Sequence, residues 1–560
     1  MSNPGLPPVP PPPPPTGPPP PPVGPGGTAP IGAAEPPRRR RRALLVGSLA
    51  TAVIVVGGGA ALAWQALDGG GTQPHDVLPG DAIGYVRVDL DPSASQKIEA
   101  FRFLRQFPLF DEATDLDDDG DLRELLVEQF AHDTDCPIDF EDDVEPWAGD
   151  RVGVAVLPPG DDQANPGFVV AVQTDDEDAA EAALTKVVNC GGEGTEIGTI
   201  YLDGYLLITD TADHAERYAT SAQESPLSGN ADFTEAMDLL GDQGVMSAWV
   251  SGTGMFDLGM GMADLTGYGA FPVAYDATRV AYDTGEYDAF SEPGMPTEDE
   301  ARELIEDSFR SAAVTLRFDN DYAEVASVVT GDLIEAGDGS GVRADVPDDT
   351  TALLGFANGD TYLQDYWESM KDSYPEAGEM MTELEDMFGL TLPDDVGTLL
   401  GDSFVVAADI GDLDFDALEF GDFSSLDVGV KVATDPDAAQ DVWDKVSDLA
   451  AESGVDLDAF AMEITDDGYV VAANPDYAAT LIEGGNLVDN DVYTKAVKDA
   501  ADASAVFYLN IDAVEDDLIS MAGGELSDEE LDSIRKLEAV GFSARSFDGH
   551  VELSLRITTG

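Results

Sequence analysis

The longest apolar run in the chain, Ala43 to Leu67 (ALLVGSLATAVIVVGGGAALAWQAL), carries no charge and directly follows five arginines, Arg38 to Arg42. About 20 such residues span a bilayer as a helix, and cations on one flank alone orient the span with that flank inside. The pattern predicts a single transmembrane helix over 43–67, with residues 1–42 in the cytoplasm and the C-terminal domain outside the cell membrane. Trp64 near the outer end suits the interface between lipid and water. A cleaved signal peptide is the rival reading, since Ala61-Leu62-Ala63 offers a cleavage pattern, but the segment before the apolar run is too long for one. Residues 1–42 are dominated by proline and glycine, with proline runs at 10–15 and 18–22. Proline removes the backbone donor and fixes φ, which leaves polyproline II or disordered coil.

Beyond a linker over 68–76, the hydrophobic pattern alternates in short strands and repeats itself. A Pro-Gly-Asp or Pro-Asp-Asp turn leads into a strand at Ala82–Leu90 and again after Val346. DDVEPWAGDRVGVAVLP, from Asp142, answers DDVGTLLGDSFVVAADI, from Asp394. Second strands, acidic helix starts, Asp-Gly-Tyr hairpins at Asp203 and Asp467, and FTEAM or YTKAV segments then follow in the same order. The spacing predicts two homologous units, 77–333 and 345–560, joined by a Gly-rich linker over 334–344. Hairpins mixed with short amphipathic helices imply an α+β fold. Each unit is expected to hold a mainly antiparallel sheet with flanking helices on one face, behind the transmembrane helix and the Pro-rich tail.

Charge changes this picture most. Against 27 Lys and Arg stand 112 Asp and Glu, a formal net charge of −85. Such a surface repels nucleic acid, which binds through Lys and Arg. Two readings of the acidity stand: adaptation of the surface to high salt, where screening removes self-repulsion, and collection of divalent cations. The acids are spread along the whole chain, which favours the first.

Two motifs in the first unit carry a family resemblance. Asp89-Leu90-Asp91-Pro92 with Gln96-Lys97 and Phe107-Pro108, and Trp147-Ala148-Gly149-Asp150-Arg151 with the strand after it, resemble the family called domain of unknown function 3352. That resemblance implies a bacterial, often actinobacterial, layout with a Pro-rich tail, one anchor and an extracytoplasmic domain, and it implies no activity. The second unit departs from the tryptophan motif at Leu400 and Ser403, which suggests a packing role there.

Candidate chemistry is sparse. Cys136 and Cys190 are the only cysteines, and an even pair outside the cytoplasm predicts one disulfide. Closing a loop of about 55 residues would stabilise by roughly 4 kcal/mol in the chain-entropy account. Asp115, Asp117, Asp119 and Asp121, around Gly120, resemble the start of a calcium-binding loop, which needs oxygen ligands at alternate positions and a glycine at the turn. Position 12 of that loop is Leu126 instead of the bidentate glutamate, and a solvated loop before a helix is the competing reading. Ca2+ is therefore the one ion the sequence points to, and no other cofactor is expected. His75, His132, His214 and His550 are scattered, and no nucleophile elbow, zinc motif or phosphate loop occurs. The sequence implies a non-catalytic binding or interaction module of the cell envelope, with an envelope protein or a hydrophobic ligand as partner. The alternatives are a calcium-responsive surface protein and a carboxylate hydrolase of envelope glycan. The oligomeric state is not legible.

Overall fold

The computed structural model describes residues 72–89, 95–108, 122–134, 136–159, 166–190, 197–255, 309–331, 341–373, 385, 388–411, 426–454, 457, 460–521 and 527–560. Short β-branched and aromatic runs with period-two burial form its strands. The first half supplies β1 (Gly84–Asp89), β2 (Ala148–Leu157), β3 (Gly167–Thr174), β4 (Gly198–Leu202), β5 (Tyr205–Thr209), β6 (Met246–Ser251), β7 (Ser311–Phe318) and β8 (Tyr322–Thr330). The second half supplies β9 (Ala352–Ala357), β10 (Ser403–Asp409), β11 (Asp427–Ala433), β12 (Ala461–Thr465), β13 (Gly468–Ala472), β14 (Ala505–Asn510), β15 (Leu537–Phe547) and β16 (His550–Thr559).

These strands make one 16-stranded sheet in the order β12-β13-β11-β10-β9-β14-β15-β16-β8-β7-β6-β1-β2-β3-β5-β4. Every pairing between named strands is antiparallel. The expectation of a separate sheet in each unit is thus corrected: β8 and β16 hydrogen-bond along their full length and fuse the two. The order read outward from that joint is the same on both sides, with β8 answering β16, β7 answering β15, and β4 answering β12. The first residue of β8, Tyr322, pairs with the ninth of β16, Thr558, and the first of β16, His550, pairs with the ninth of β8, Thr330. A pseudo-twofold axis therefore passes through the central pair, Ala326 and Ser554.

Helices lie on both faces, which corrects the one-sided arrangement expected from the sequence. On one face, helices Ala212–Glu224 and Ala231–Leu240 bring Tyr218, Phe233 and Met237 against Tyr85, Tyr205 and Trp249. Their counterparts Pro475–Glu483 and Asp491–Ala496 bring Tyr477, Leu481 and Tyr493 against Leu353, Val470 and Tyr508. Side-chain oxygens start these helices in both halves: Thr211 accepts from the His214 N–H, Asn474 from Tyr477, Asn230 from Phe233, and Asn490 from Tyr493. Each satisfies a donor that the first helical turn would leave bare. On the other face, helix Glu177–Cys190 packs Ala180 and Leu184 on β2, β3 and β5, and helix Pro436–Ser453 packs Ala439 and Trp443 on β10, β11 and β13. Ser95–Leu104 adds Ala100, Phe103 and Leu104 against Phe318 and Leu316 on that same side.

The helix expected over 43–67 lies outside the described residues. Among those, no helix is long and apolar enough to cross a membrane. The longest, Pro436–Ser453, carries Asp437, Asp441, Asp444, Lys445, Asp448 and Glu452, and a bilayer core does not admit charge at that density. The transmembrane helix, the single-pass membrane topology and the cell-membrane localisation read from the sequence are corrected accordingly: the described structure gives them no support.

Candidate functional site

Two sequence motifs meet on the face that carries helices Ala212–Glu224 and Ala231–Leu240. Asp89 ends β1, and Arg151 stands directly opposite it on β2, with Nε 3.7 Å from the Asp89 carboxylate. Arg87, two residues back on the same side of β1, donates from Nη2 to Asp89 at 2.7 Å. Arg87 and Asp89 are 5 % and 1 % exposed, so each charge is stabilised only by its partners. Next along the face, the buried Tyr205 hydroxyl donates to the Thr72 carbonyl at 2.9 Å. Burial pushes that phenol up to about 12, against the opposing pull of Arg151. The register of β2 shifts between Ala148 and Val152, and that irregularity follows Trp147, whose Nε1 donates to the Asp143 carbonyl at 2.6 Å.

The duplicate half serves as an internal control. Counterpart positions hold Gly355, Ala357 and Ser403 where the first half has Arg87, Asp89 and Arg151. Gly355 leaves no room for a side chain, because an added Cβ would sit 2.5 Å from Val342 Cγ1. The charged cluster is therefore not required by the scaffold. A different pair recurs in both halves. Lys186 contacts Asp143 in the first, and Lys445 contacts Asp395 at 2.6 Å in the second. Each aspartate also accepts from the backbone N–H four residues before it, Asp139 or Thr391. The Lys186 ammonium, then the Asp139 N–H, hold the Asp143 carboxyl below the usual range despite its burial. This pair pins the start of the second strand to a helix in each half and is part of the frame.

At the joint between halves, Glu324 lies 3 % exposed between Arg317 on β7 and Arg556 on β16, its direct cross-strand neighbours. Arg556 Nε is 3.5 Å away, Lys498 Nζ 3.4 Å and Arg317 Nη1 3.9 Å, and the Ser554 hydroxyl donates at 2.8 Å. Burial alone would raise the glutamate, but Arg556, Lys498, Ser554 and Arg317 together hold it below its usual value. Arg556 also lies over the Tyr322 ring, 4.3 Å from its centre.

The opposite face inverts this order. In register across five strands run Leu354, Phe507, Phe542, Leu555 and Val325. Leu354 is 52 % exposed, Val325 40 %, Leu555 39 % and Phe507 38 %. Every described residue turned the same way on β9, β14, β15 and β8 is uncharged, as are those paired with them on β7 and on β16 from Val551 to Ile557; Ser327 and Ser546 are the only polar ones. In so acidic a chain, an uncharged apolar face of this kind is the feature that the frame does not require. Alternation alone misplaces it, because on β16 the apolar Val551, Leu553, Leu555 and Ile557 alternate with Glu552, Ser554 and Arg556, a pattern that reads as an apolar side buried and a polar side solvated.

The sequence-derived candidates fall elsewhere. Asp115, Asp117, Asp119 and Asp121 lie outside the described residues, and among those described no group of three or more His, Cys, Asp or Glu is placed to hold a metal ion. Cys136 and Cys190 are joined as a disulfide, with Cα atoms 5.4 Å apart. It ties the segment before Phe140–Val144 to the end of helix Glu177–Cys190, beside the Lys186–Asp143 pair. Of the family motif residues, Leu90, Asp91 and Pro92 are outside the description, and Phe107 packs on Phe103. His75 is set among Tyr85 and Phe233, His214 beside Asp210, and His550 on Phe547, so these histidines share no site. A cleft along helix Ala212–Glu224 is lined by Asp213, Glu216, Arg217 and Glu224, a solvated polar strip.

Residues 47–201 match the family described as Protein of unknown function (DUF3352). The Asp89–Arg151 contact lies within that stretch and links the two motifs through which the resemblance was read. No curated protein and no solved structure matches the chain.

Proposed function

We propose that the protein is a non-catalytic interaction module that engages an apolar surface through the uncharged face of its sheet. One observation carries this reading: Leu354, Phe507, Leu555 and Val325 stand exposed in one row on strands that turn no charge to that side, in a chain of net charge −85. Apolar patches larger than a few hundred Å² on soluble surfaces mark interaction sites. The charged clusters support the same reading, because the groups of Arg87, Asp89 and Arg151, and of Glu324, Arg317 and Arg556, neutralise one another within the sheet. An acidic surface opposes nucleic acid as the partner.

The test is an apolar fluorescent dye on the full chain, dilute and at low salt, where a net charge of −85 holds copies apart. Binding is expected, and Val325→Asp combined with Leu555→Asp should weaken it severalfold while the far-UV dichroism stays unchanged. Equal dye binding by both proteins would remove the basis for this reading.

A further inference from the structure

We propose that the occupant of the uncharged face is a second copy of this chain, packed sheet against sheet; this rests on the reading above and names its partner. Three observations converge on it. The first is charge. Two molecules at −85 repel wherever their acids approach, and the row from Leu354 to Val325 lies on strands that turn no acid to the contact.

The second is symmetry. The axis through Ala326 and Ser554 carries Val325 onto Leu553 and Val329 onto Ile557, so the middle of the face maps onto itself. A contact between two identical molecules repeats every interaction about its own twofold axis, and needs a patch that complements itself. A patch with apolar residues on both sides of an internal axis meets that demand: another copy offers it a surface of the same extent, the same chemistry and the same arrangement.

The third is size and shape. Five strands, β9, β14, β15, β16 and β8, at about 4.8 Å spacing and about seven residues long at 3.4 Å each, give a face on the order of 600 Å²; β7 lies beyond it, under helix Ser95–Leu104. Stable interfaces bury roughly 800 Å² per partner, so the face supplies most of what a dimer needs. Five strands' breadth between the flanking helices is too wide to enclose a small molecule, whose sites bury most of the ligand surface. Another sheet, packed about 10 Å away, buries it fully.

The experiment is light scattering on the full chain in molar KCl, where screening removes the long-range repulsion, joined to thiol chemistry at one introduced cysteine. The expected result is twice the chain mass, reduced to one by Val325→Asp and independently by Leu354→Asp, with dichroism unchanged. Leu555→Cys is expected to cross-link copy to copy on oxidation. A doubled mass that survives both aspartate variants would overturn the inference, because the contact would then use another surface. A single mass at all concentrations would also overturn it, and the reactivity of Leu555→Cys then separates the two readings. Rapid modification by a maleimide leaves the open face, and the interaction module, standing with a different partner. Protection in the monomer means that the chain covers its own face, and both readings fall.

Discussion

Asp89 and Arg151 face each other across β1 and β2 and join the two motifs that carry the family resemblance of residues 47–201. Neither motif says in sequence that it touches the other, because helices Ser95–Leu104 and Leu122–Thr134 and the turn Phe140–Val144 come between Asp89 and Arg151 in the chain. The contact is made by strand register, and Arg87 completes it from the same side of β1.

Removing the acid from this cluster should be costly. Asp89→Ala leaves Arg87 buried without its 2.7 Å partner, and breaking one side of a buried pair destabilises by about 3–5 kcal/mol. The urea midpoint should fall accordingly. A change within experimental error would show that other groups hold the arginines and that Asp89 is dispensable.

Glu324 should give the joint a dependence on pH. Its carboxyl is held below the ordinary glutamate value in the folded protein by neighbouring cations. A depressed folded value means that the stabilisation is present above the unfolded range, near 4.5, and is lost as pH falls through the lower folded value. The difference in melting temperature between the wild type and Glu324→Gln should be largest near neutral pH and shrink in acid. A difference independent of pH would assign the effect to shape and not to charge.

The disulfide closes a sequence separation of 54 residues, and a loop of that order contributes up to roughly 4 kcal/mol by restricting the unfolded chain. Cys136→Ser with Cys190→Ser should lower the denaturation midpoint by an amount equivalent to about 2–4 kcal/mol. The Lys186–Asp143 pair spans the same two segments, so the native fold should persist. Loss of the fold itself would give the bridge a larger part than the frame suggests.

Salt should stabilise the whole molecule. With 112 acidic and 27 basic side chains, self-repulsion weakens as the screening length falls from about 10 Å at 0.1 M to about 3 Å at 1 M. The melting temperature should rise between dilute buffer and molar KCl, and an unchanged or lower value would refute adaptation to salt.

Much of the scaffold could be read from the sequence because its repeats are local. The turn before β1 and β9, the helix-starting acids at Glu177 and Asp437, and the hairpin after β4 all announce themselves within a few residues. Register was harder. Both hairpins read Asp-Gly-Tyr, yet Tyr205 pairs with Leu202 while Tyr469 pairs with Ile464, one position further from the turn. A shift of one residue turns a side chain to the other face: Tyr205 packs with Tyr85 on one side of the sheet, and Tyr469 with Trp443 on the other. The pairing of β8 with β16 was beyond local pattern altogether, because it links residues at the far ends of two repeats. The open row escaped for a related reason. Leu555 and Ser554 differ in environment only because of what lies above and below the sheet, and no period in the sequence encodes that.

The fusion of β8 to β16 has a consequence for how the chain avoids sticking to others. A half on its own would end in Tyr322–Thr330 or His550–Thr559, a long row of unpaired N–H and C=O groups that any stray strand could extend. Duplication within one chain lets each half occupy the other's exposed edge. What remains at the margins is Gly198–Leu202 and Ala461–Thr465, five residues each, too short to template much growth. Tandem repetition thus gives this molecule the edge protection that a single unit would have to find in a second chain.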